Sequence, residues 1–269
     1  MITTNRTYGI DNDVLAYNAR IVAAGFQGLS TQSLCEINQL VIGLKKLKVW
    51  EFLGEGWLCR NVHNVGSGAT LYSLKGNFNA TIVGGPDWTT RGLVYPSGNS
   101  KYLQTSSSFV SNTEFTLIMD YKSLESGATR TYSEFVRNSA PTEAFDFSKA
   151  NIGGNYQIRN VTDSLNINAL STAGDSGIFR IIGWGYNNSI SIARTMSEDR
   201  ITDSSASLGI DNRGTGTFRP RSAGAYGTTG SDGIQSCCFW FNKLLSQTEM
   251  LAVKNLLRST IAQQGSLEF

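Results

Sequence analysis

From about residue 69 onward, apolar and polar positions alternate in short runs broken by Gly, Asn, Asp and Ser. Phe115, Leu117, Met119 and Tyr121 alternate with Thr116 and Asp120, the period-two pattern of a strand with one covered face. The same rhythm predicts strands over 69–74, 80–83, 93–95, 102–105, 131–136, 144–147, 156–161, 165–170, 179–186, 189–195, 206–210 and 217–219. Asn187-Asn188 lies between two of these runs and tolerates positive φ, so a two-residue hairpin is expected there. Earlier, Val49–Leu53 and Trp57–Cys59 read as two apolar runs separated by Gly54-Glu55-Gly56. So many short strands with almost no helix between them predict an antiparallel sandwich or barrel.

The two ends of the chain follow a different period. Asp11-Asn12-Asp13 offers a helix cap, and Val14, Tyr17 and Ile21 recur at helical spacing up to a stop at Gly25. A second helix starts at Leu29-Ser30, with Leu34, Ile37, Val41 and Leu44 as its stripe, widened by Leu40 and Leu47. Residues 1–50 therefore form a helical hairpin, either a cap on the body or an arm for attachment or oligomerisation, and residues 51–269 form the body. A pair of helices this short cannot hold itself together. At the other end, Cys237–Phe241 reads as a strand covered on both faces. Ser246-Gln247-Thr248-Glu249 then has the form of a capping box, and Leu245 and Met250 have the spacing of a hydrophobic staple. Met250, Val253, Leu257 and Ile261 give the last helix one apolar stripe.

Composition narrows the function classes. Of 269 residues only 16% are charged, Gly reaches 28, and the net charge is +2. Lys45-Lys46-Leu47-Lys48 is the densest basic cluster and ends a helix, so no nucleic-acid footprint is present. No apolar run approaches a membrane span, and the first residues lack a secretory core. Membrane and nucleic-acid partners are therefore not expected. With one histidine and four scattered cysteines, a zinc site is not expected either. Cys237 and Cys238 should point to opposite faces of their strand as small buried residues.

Residues 71–88, Leu71 to Trp88 with Gly84-Gly85-Pro86, resemble the opening of the laminin-G-like members of the concanavalin A-like lectin/glucanase family. Gly92-Leu93-Val94-Tyr95 with Asn99–Leu103, Phe115-Thr116-Leu117, Ala206–Asp211 and the closing strand and helix resemble further parts of that module. Lys75 and Tyr95 depart from the usual Ser and Phe. The resemblance implies a mainly β, antiparallel β-sandwich of jelly-roll, concanavalin A-like form. Tyr17–Gly25 and Leu44–Trp50, joined to such a body, are similar to the start of bacteriophage structural proteins of tail-fibre, collar or capsid-decoration type. That resemblance implies a virion location without a signal peptide, other virion proteins as partners, and a homo-oligomer, by analogy a trimer.

Catalytic chemistry finds little support. A glycosidase needs two carboxylates facing across the sugar bond. Glu143 and Asp146 would face opposite ways on one strand, Asp120 is alone on its strand, and Glu198, Asp199 and Asp203 read as loop residues. Carboxylates on separate strands could still meet. His63 reads as a surface-loop residue without a nucleophile beside it, and Gly183-x-Gly185 lacks the rest of a dinucleotide fingerprint. No catalytic residue is assigned. Laminin-G-like modules often hold calcium; Asp211, Asn212 and Asp232 are acids and amides of the right kind, but isolated loop acids do not identify a site. No cofactor is assigned. The expected function is a non-enzymatic virion structural protein. The alternative is a lectin for cell-surface glycan, and a polysaccharide-degrading glycosidase stands third. For glycan, the candidate residues are Trp184, Tyr186, Asn187 and Asn188 at a strand end, with Tyr226 in a Gly-rich loop; the alternation of Trp184 and Tyr186 with Gly183 and Gly185 speaks more strongly for core on one sheet face.

Overall fold

The structure, a computed structural model, describes residues 9–261 apart from 86, 96–101, 107–108, 111–113, 125–129, 138–143, 150–154, 161–164, 172–178, 188, 198–199, 206–214, 221–228 and 231. At 109–110, 130–137, 144–149, 155–160, 165–171, 215–216 and 229–230 the backbone alone is described. The strand expected at 206–210, with the resemblance it carries, lies outside the described residues, as do Glu143, Glu198, Asp199, Asp211 and Asn212.

Both helices of the hairpin form where their caps place them. Helix α1 (Asn12–Ala23) starts at Asp11, whose carboxylate accepts from the Asp13 amide. Gly25, at φ +86°, turns the chain out of it. Helix α2 (Thr31–Lys46) starts at Ser30, whose hydroxyl accepts from the Ser33 amide. Lys45 in its last turn reaches Asp11 at 2.7 Å and Asp13 at 2.6 Å, so one cation closes the hairpin across both helices.

A 3₁₀ turn at Trp50–Phe52 leads into β1 (Leu53–Leu58), and a second at Asn61–His63 follows it. Then come β2 (Thr70–Leu71), β3 (Ala80–Val83), β4 (Asp87–Trp88), β5 (Leu93–Tyr95), β6 (Tyr102–Gln104), β7 (Phe109–Val110) and β8 (Glu114–Ser123). The middle of the chain holds β9 (Arg130–Arg137), β10 (Ala144–Lys149), β11 (Asn155–Asn160) and β12 (Leu165–Ser171). It ends with β13 (Phe179–Asn187), β14 (Ile192–Ser197), β15 (Arg200–Ser205), β16 (Thr215–Arg219), β17 (Thr229–Gly230), β18 (Gly233–Phe241) and α3 (Gln247–Thr260).

Among the described residues these strands form three sheets. The first runs β15-β14-β13-β8-β18-β5-β4, with β1 also paired to β18. The second runs β12-β11-β10-β9-β16-β7, with β17 added parallel to β9, and β2-β3-β6 make a small third sheet. Every other pairing is antiparallel, so the fold is mainly β with helices at both ends.

The alternation on β8, β13 and β18 decides the layering. Phe115, Leu117, Met119, Trp184, Tyr186, Cys238 and Trp240 face one way, into a core closed by Phe218 of the second sheet. Ile118, Ile181, Cys237, Phe239 and Phe241 face the other way, onto the three helices. The central strands β8, β13 and β18 are thus covered on both faces; β8, whose alternation predicts one covered face, buries Thr116 and Asp120 on the other as well. From the helices, Val14, Tyr17, Ile21, Ile37, Leu40, Val41, Leu44, Met250, Val253 and Leu257 are fully buried on that sheet. The hairpin stripe is therefore spent on the body of its own chain. The adjacent cysteines are free thiols, one in each core layer.

Four local expectations change. Gly54-Glu55-Gly56 does not break the strand: β1 runs through it, because a side chain at Gly56 would sit 2.8 Å from the Phe239 ring. Glycine there serves close approach rather than a turn. The hairpin between β13 and β14 has Asn187 opposite Ile192, so its loop spans 188–191 instead of two residues. Asn187 Oδ1 accepts from the Ser189 amide, and Ser191 takes the positive φ of 49°. Asp203 lies on β15, not in a loop, and receives both Nε and Nη2 of Arg194 at 2.6 and 2.7 Å. The strand expected at 69–74 shortens to β2, with Ser73 making only an isolated bridge to Trp57.

Helix α3 begins with the expected capping box. The Ser246 hydroxyl accepts from the Glu249 amide at 3.2 Å, and the Ser246 amide donates to the Glu249 carboxylate at 2.7 Å. Leu245 and Met250, on either side of the cap, are both fully buried. Ser246→Ala should lower unfolding stability by about 0.5–2 kcal/mol, read as a lower urea midpoint at unchanged slope.

Candidate functional site

Trp184 and Tyr186 belong to the core. Each has no exposed surface, and each sits on the face of β13 turned towards the second sheet. Tyr186 lies 6.4 Å from the Phe115 ring, which stacks on Trp240 at 4.7 Å. The opposite face of β13 shows why the glycines alternate with them. A side chain at Gly185 would meet Leu244 at 2.5 Å, and one at Gly183 would meet Met250 at 3.0 Å. The rings are covered by the core shared with Phe218 on their own side, while the turn before α3 and the helix itself press onto the bare backbone behind them. A ring without an open face cannot stack on a sugar, so neither residue can present the glycan platform expected of it. Asn187 is held at the strand end, its amide donating to Glu114 at 2.6 Å. Asn188 and Tyr226 lie outside the described residues.

His63 is not a surface-loop residue. It is 1% exposed, and its Nε2 stands 2.5 Å from the Glu36 carboxylate on α2. Its carbonyl accepts from the Tyr17 hydroxyl at 2.8 Å, and that hydroxyl accepts from the Asn64 amide at 2.8 Å. Asn64 also accepts from the Tyr72 amide at 3.2 Å. Arg60 donates to the Thr90 carbonyl at 2.6 Å and to the Ile261 carbonyl at 3.1 Å. This polar seam ties the hairpin and the end of α3 to the sheet. Nothing in the sequence around His63 marks it as buried, since its partners Tyr17 and Glu36 come from the hairpin.

Burial pushes the His63 imidazole below its ordinary 6.5; Glu36 opposes that shift and nearby Arg60 adds to it. Glu36 is held below its ordinary 4.5 because hydrogen bonds from His63 and Gln32 outweigh its partial burial. The neutral imidazole therefore donates to an ionised carboxylate. Below about pH 6.5 the unfolded chain takes up a proton that folded His63 resists, so acid favours unfolding; Glu36 extends the loss to lower pH. Urea midpoints should fall between about pH 7 and about pH 5, and His63→Gln should flatten that slope.

A second anchored segment is the stretch 71–88. The Glu55 carboxylate, 1% exposed, accepts from the Asn77 and Phe78 amides at 3.0 Å each. Asn79 accepts from the Ser73 amide at 3.0 Å, and Trp57 Nε1 donates to the Phe78 carbonyl at 3.0 Å. Lys75, the departure from the family's Ser, places its ammonium 4.3 Å from the centre of the Trp50 ring. Asp120, likewise 1% exposed, receives the Ser236 hydroxyl. Burial pushes Glu55 and the thiols of Cys59, Cys237 and Cys238 up. Glu55 thus secures the loop at 77–78, and the three thiols are buried in the two core layers. Among the described residues no group of three or more His, Cys, Asp and Glu is placed to hold a metal ion. No helix among them is long and apolar enough to cross a membrane.

In the second sheet, residue pattern and register set most apolar positions on one face and most polar positions on the other. Phe218 on β16 is buried against Trp57 and Trp240. Directly cross-strand positions share a face. The register therefore places Phe135 and Phe145 on the Phe218 face, and Ile158 and Ile167 pair on that face with Phe147. The alternate positions, on the other face, include Glu134, Asp146, Ser148, Gln157, Arg159, Asn166 and Asn168, together with Thr217, Val136 and Ala144. Carboxylate, guanidinium and amide groups come in pairs of donors or acceptors, suited to neighbouring hydroxyls.

No protein-family model matches the chain, and no curated protein does. Its fold is similar to that of the Trypanosoma rangeli sialidase, with a TM-score of 0.58 and 11% identity over 86% of this chain. The same sialidase in complex with sialic acid gives a TM-score of 0.56 at 12% identity. The chain spans 40% of that sialidase's length. It is also similar to domain 4 of AbnA, an extracellular GH43 arabinanase of Geobacillus stearothermophilus, in complex with arabinotriose. There the TM-score is 0.54 and the identity 10%, over 75% of this chain and 98% of that one. At such identities the likeness is one of fold.

Proposed function

We propose that the protein is a non-catalytic β-sandwich module that binds glycan through the polar face of its second sheet. The observation that carries this is the alternation in β9, β10, β11, β12 and β16. The register sets one group of positions on the Phe218 face, and on the other it gathers amide, carboxylate and guanidinium residues, with Val136 and Ala144 beside them at one end. The likeness to an arabinanase domain in complex with arabinotriose supports the same reading at the level of fold. A non-catalytic role rests on the side chains that could react: the single histidine is spent on Glu36, and three of the four thiols are buried and pushed up. The test is a glycan array followed by calorimetric titration of the hits. Saturable binding without product release is expected; release of sugar, or no binding at all, would remove the reading.

A place in a phage virion is the second reading, and one observation favours it. The inner stripe of α1 is spent on the body, yet its outer face holds Leu15 at 47% and Val22 at 50% exposure, with Ala16, Ala19 and Ala23 also exposed and no charge among them. An uncharged helix face suits contact with another subunit or another virion protein. Sedimentation should then show an oligomer, and Leu15→Lys with Val22→Glu should dissociate it; a monomer at high concentration would remove the reading.

A further inference from the structure

Resting on the glycan-binding reading, the register singles out one line of residues. Arg219 stands opposite Glu134, Glu134 opposite Asp146, Asp146 opposite Arg159, and Arg159 opposite Asn166. The line crosses β16, β9, β10, β11 and β12 at right angles to the strands, and the one register shift of β10 falls beyond it, between Phe147 and Ser148. Its formal charges, two Arg against one Glu and one Asp, cancel.

We propose that the row Arg219–Glu134–Asp146–Arg159–Asn166 is the track for one extended, uncharged oligosaccharide lying across the strands. Adjacent strands are ~4.8 Å apart, so five positions mark out a line of about 19 Å. The repeat of one sugar unit in an extended chain is close to that strand spacing, so successive units meet successive residues. The order along the row is donor, acceptor, acceptor, donor, and then an amide that is both. A hydroxyl both donates and accepts, so a polyol chain satisfies every position, whereas an anionic chain would set its charge against Glu134 and Asp146 at the centre. At one end, the Arg219 guanidinium lies 5.0 Å from the centre of the half-buried Tyr102 ring, extending the track towards β6 with an aromatic group.

Glu134 and Asp146 are the carboxylates on separate strands that could have met as a hydrolytic pair, and they stand directly opposite. Hydrolysis would need one of them protonated. Each has an arginine position beside it in the row. The row is therefore an acceptor pair between two donors, built for binding.

The experiment is calorimetric titration of the full chain with xylohexaose, cellohexaose, mannohexaose and linear arabinohexaose, each also as shorter oligomers, against oligogalacturonate and sialyllactose. One neutral series should bind, gaining affinity up to about five units and little beyond, since five positions about 19 Å from end to end are covered. Glu134→Gln with Asp146→Asn should weaken that binding at least tenfold at an unchanged melting temperature, and should raise binding of oligogalacturonate by leaving the two arginines unopposed. Asn166→Ala, at the far end, should weaken the longer oligomers more than the shorter. If a glycan binds but neither variant alters it, or if the anionic chains bind the unaltered protein best, the row is not the track while the glycan-binding reading stands. If no glycan binds, both fall.

Discussion

A chain beginning at residue 51 should not fold. Six aliphatic side chains of the hairpin, Val14, Ile21, Ile37, Leu40, Val41 and Leu44, are fully buried on the first sheet or against their partner helix. Each contributes about 1.5–3 kcal/mol, together on the order of 10 kcal/mol, which rivals the ~5–15 kcal/mol that holds a whole domain. Their removal also bares Ile118, Phe239 and Phe241 on the sheet. It further strips Tyr17 and Glu36 from the His63 seam, leaving buried polar groups without partners. The truncated chain is expected to lose its cooperative melt in near-ultraviolet circular dichroism and to bind a hydrophobic dye. A sharp thermal transition in the truncated chain would show instead that the hairpin is an appendage.

Trp184→Ala should destabilise the protein by about 3–5 kcal/mol, the cost of emptying a filled aromatic site in a core. The cavity would lie where β13 faces the second sheet, between β8 and β14, whose Leu117 and Thr195 flank it in register. Collapse into the space is hindered from behind, because Gly183 and Gly185 already hold Met250 and Leu244 against the backbone. The readout is the urea midpoint, with the slope unchanged. Any loss of glycan binding in this variant should track the unfolded fraction and return under stabilising conditions. A variant as stable as the parent would mean that the ring is not packed as its burial implies.

Where a segment's fate depends on its own neighbours, the sequence was enough. Asp11, Ser30 and Ser246 cap helices because a side-chain oxygen reaches an amide two or three residues on, and nothing remote can change that. The strand at β8 and the doubly covered β18 were legible for the same reason, and with them the antiparallel, mainly β class; that the Thr116–Asp120 face of β8 is covered too was not. What needed the tertiary structure were the positions whose meaning depends on something arriving from far along the chain. Gly56 is a point of close approach because Phe239 lies over it, and His63 is buried because Glu36 and Tyr17 close over it. Trp184 and Tyr186 carried the same letters whether exposed or buried; the second sheet and the turn before α3 decided between them. Glu134 and Asp146 are twelve residues apart in the chain and become neighbours only through the pairing of β9 with β10. Alternation along a strand fixes which residues share a face, but only register between strands fixes which of them stand side by side.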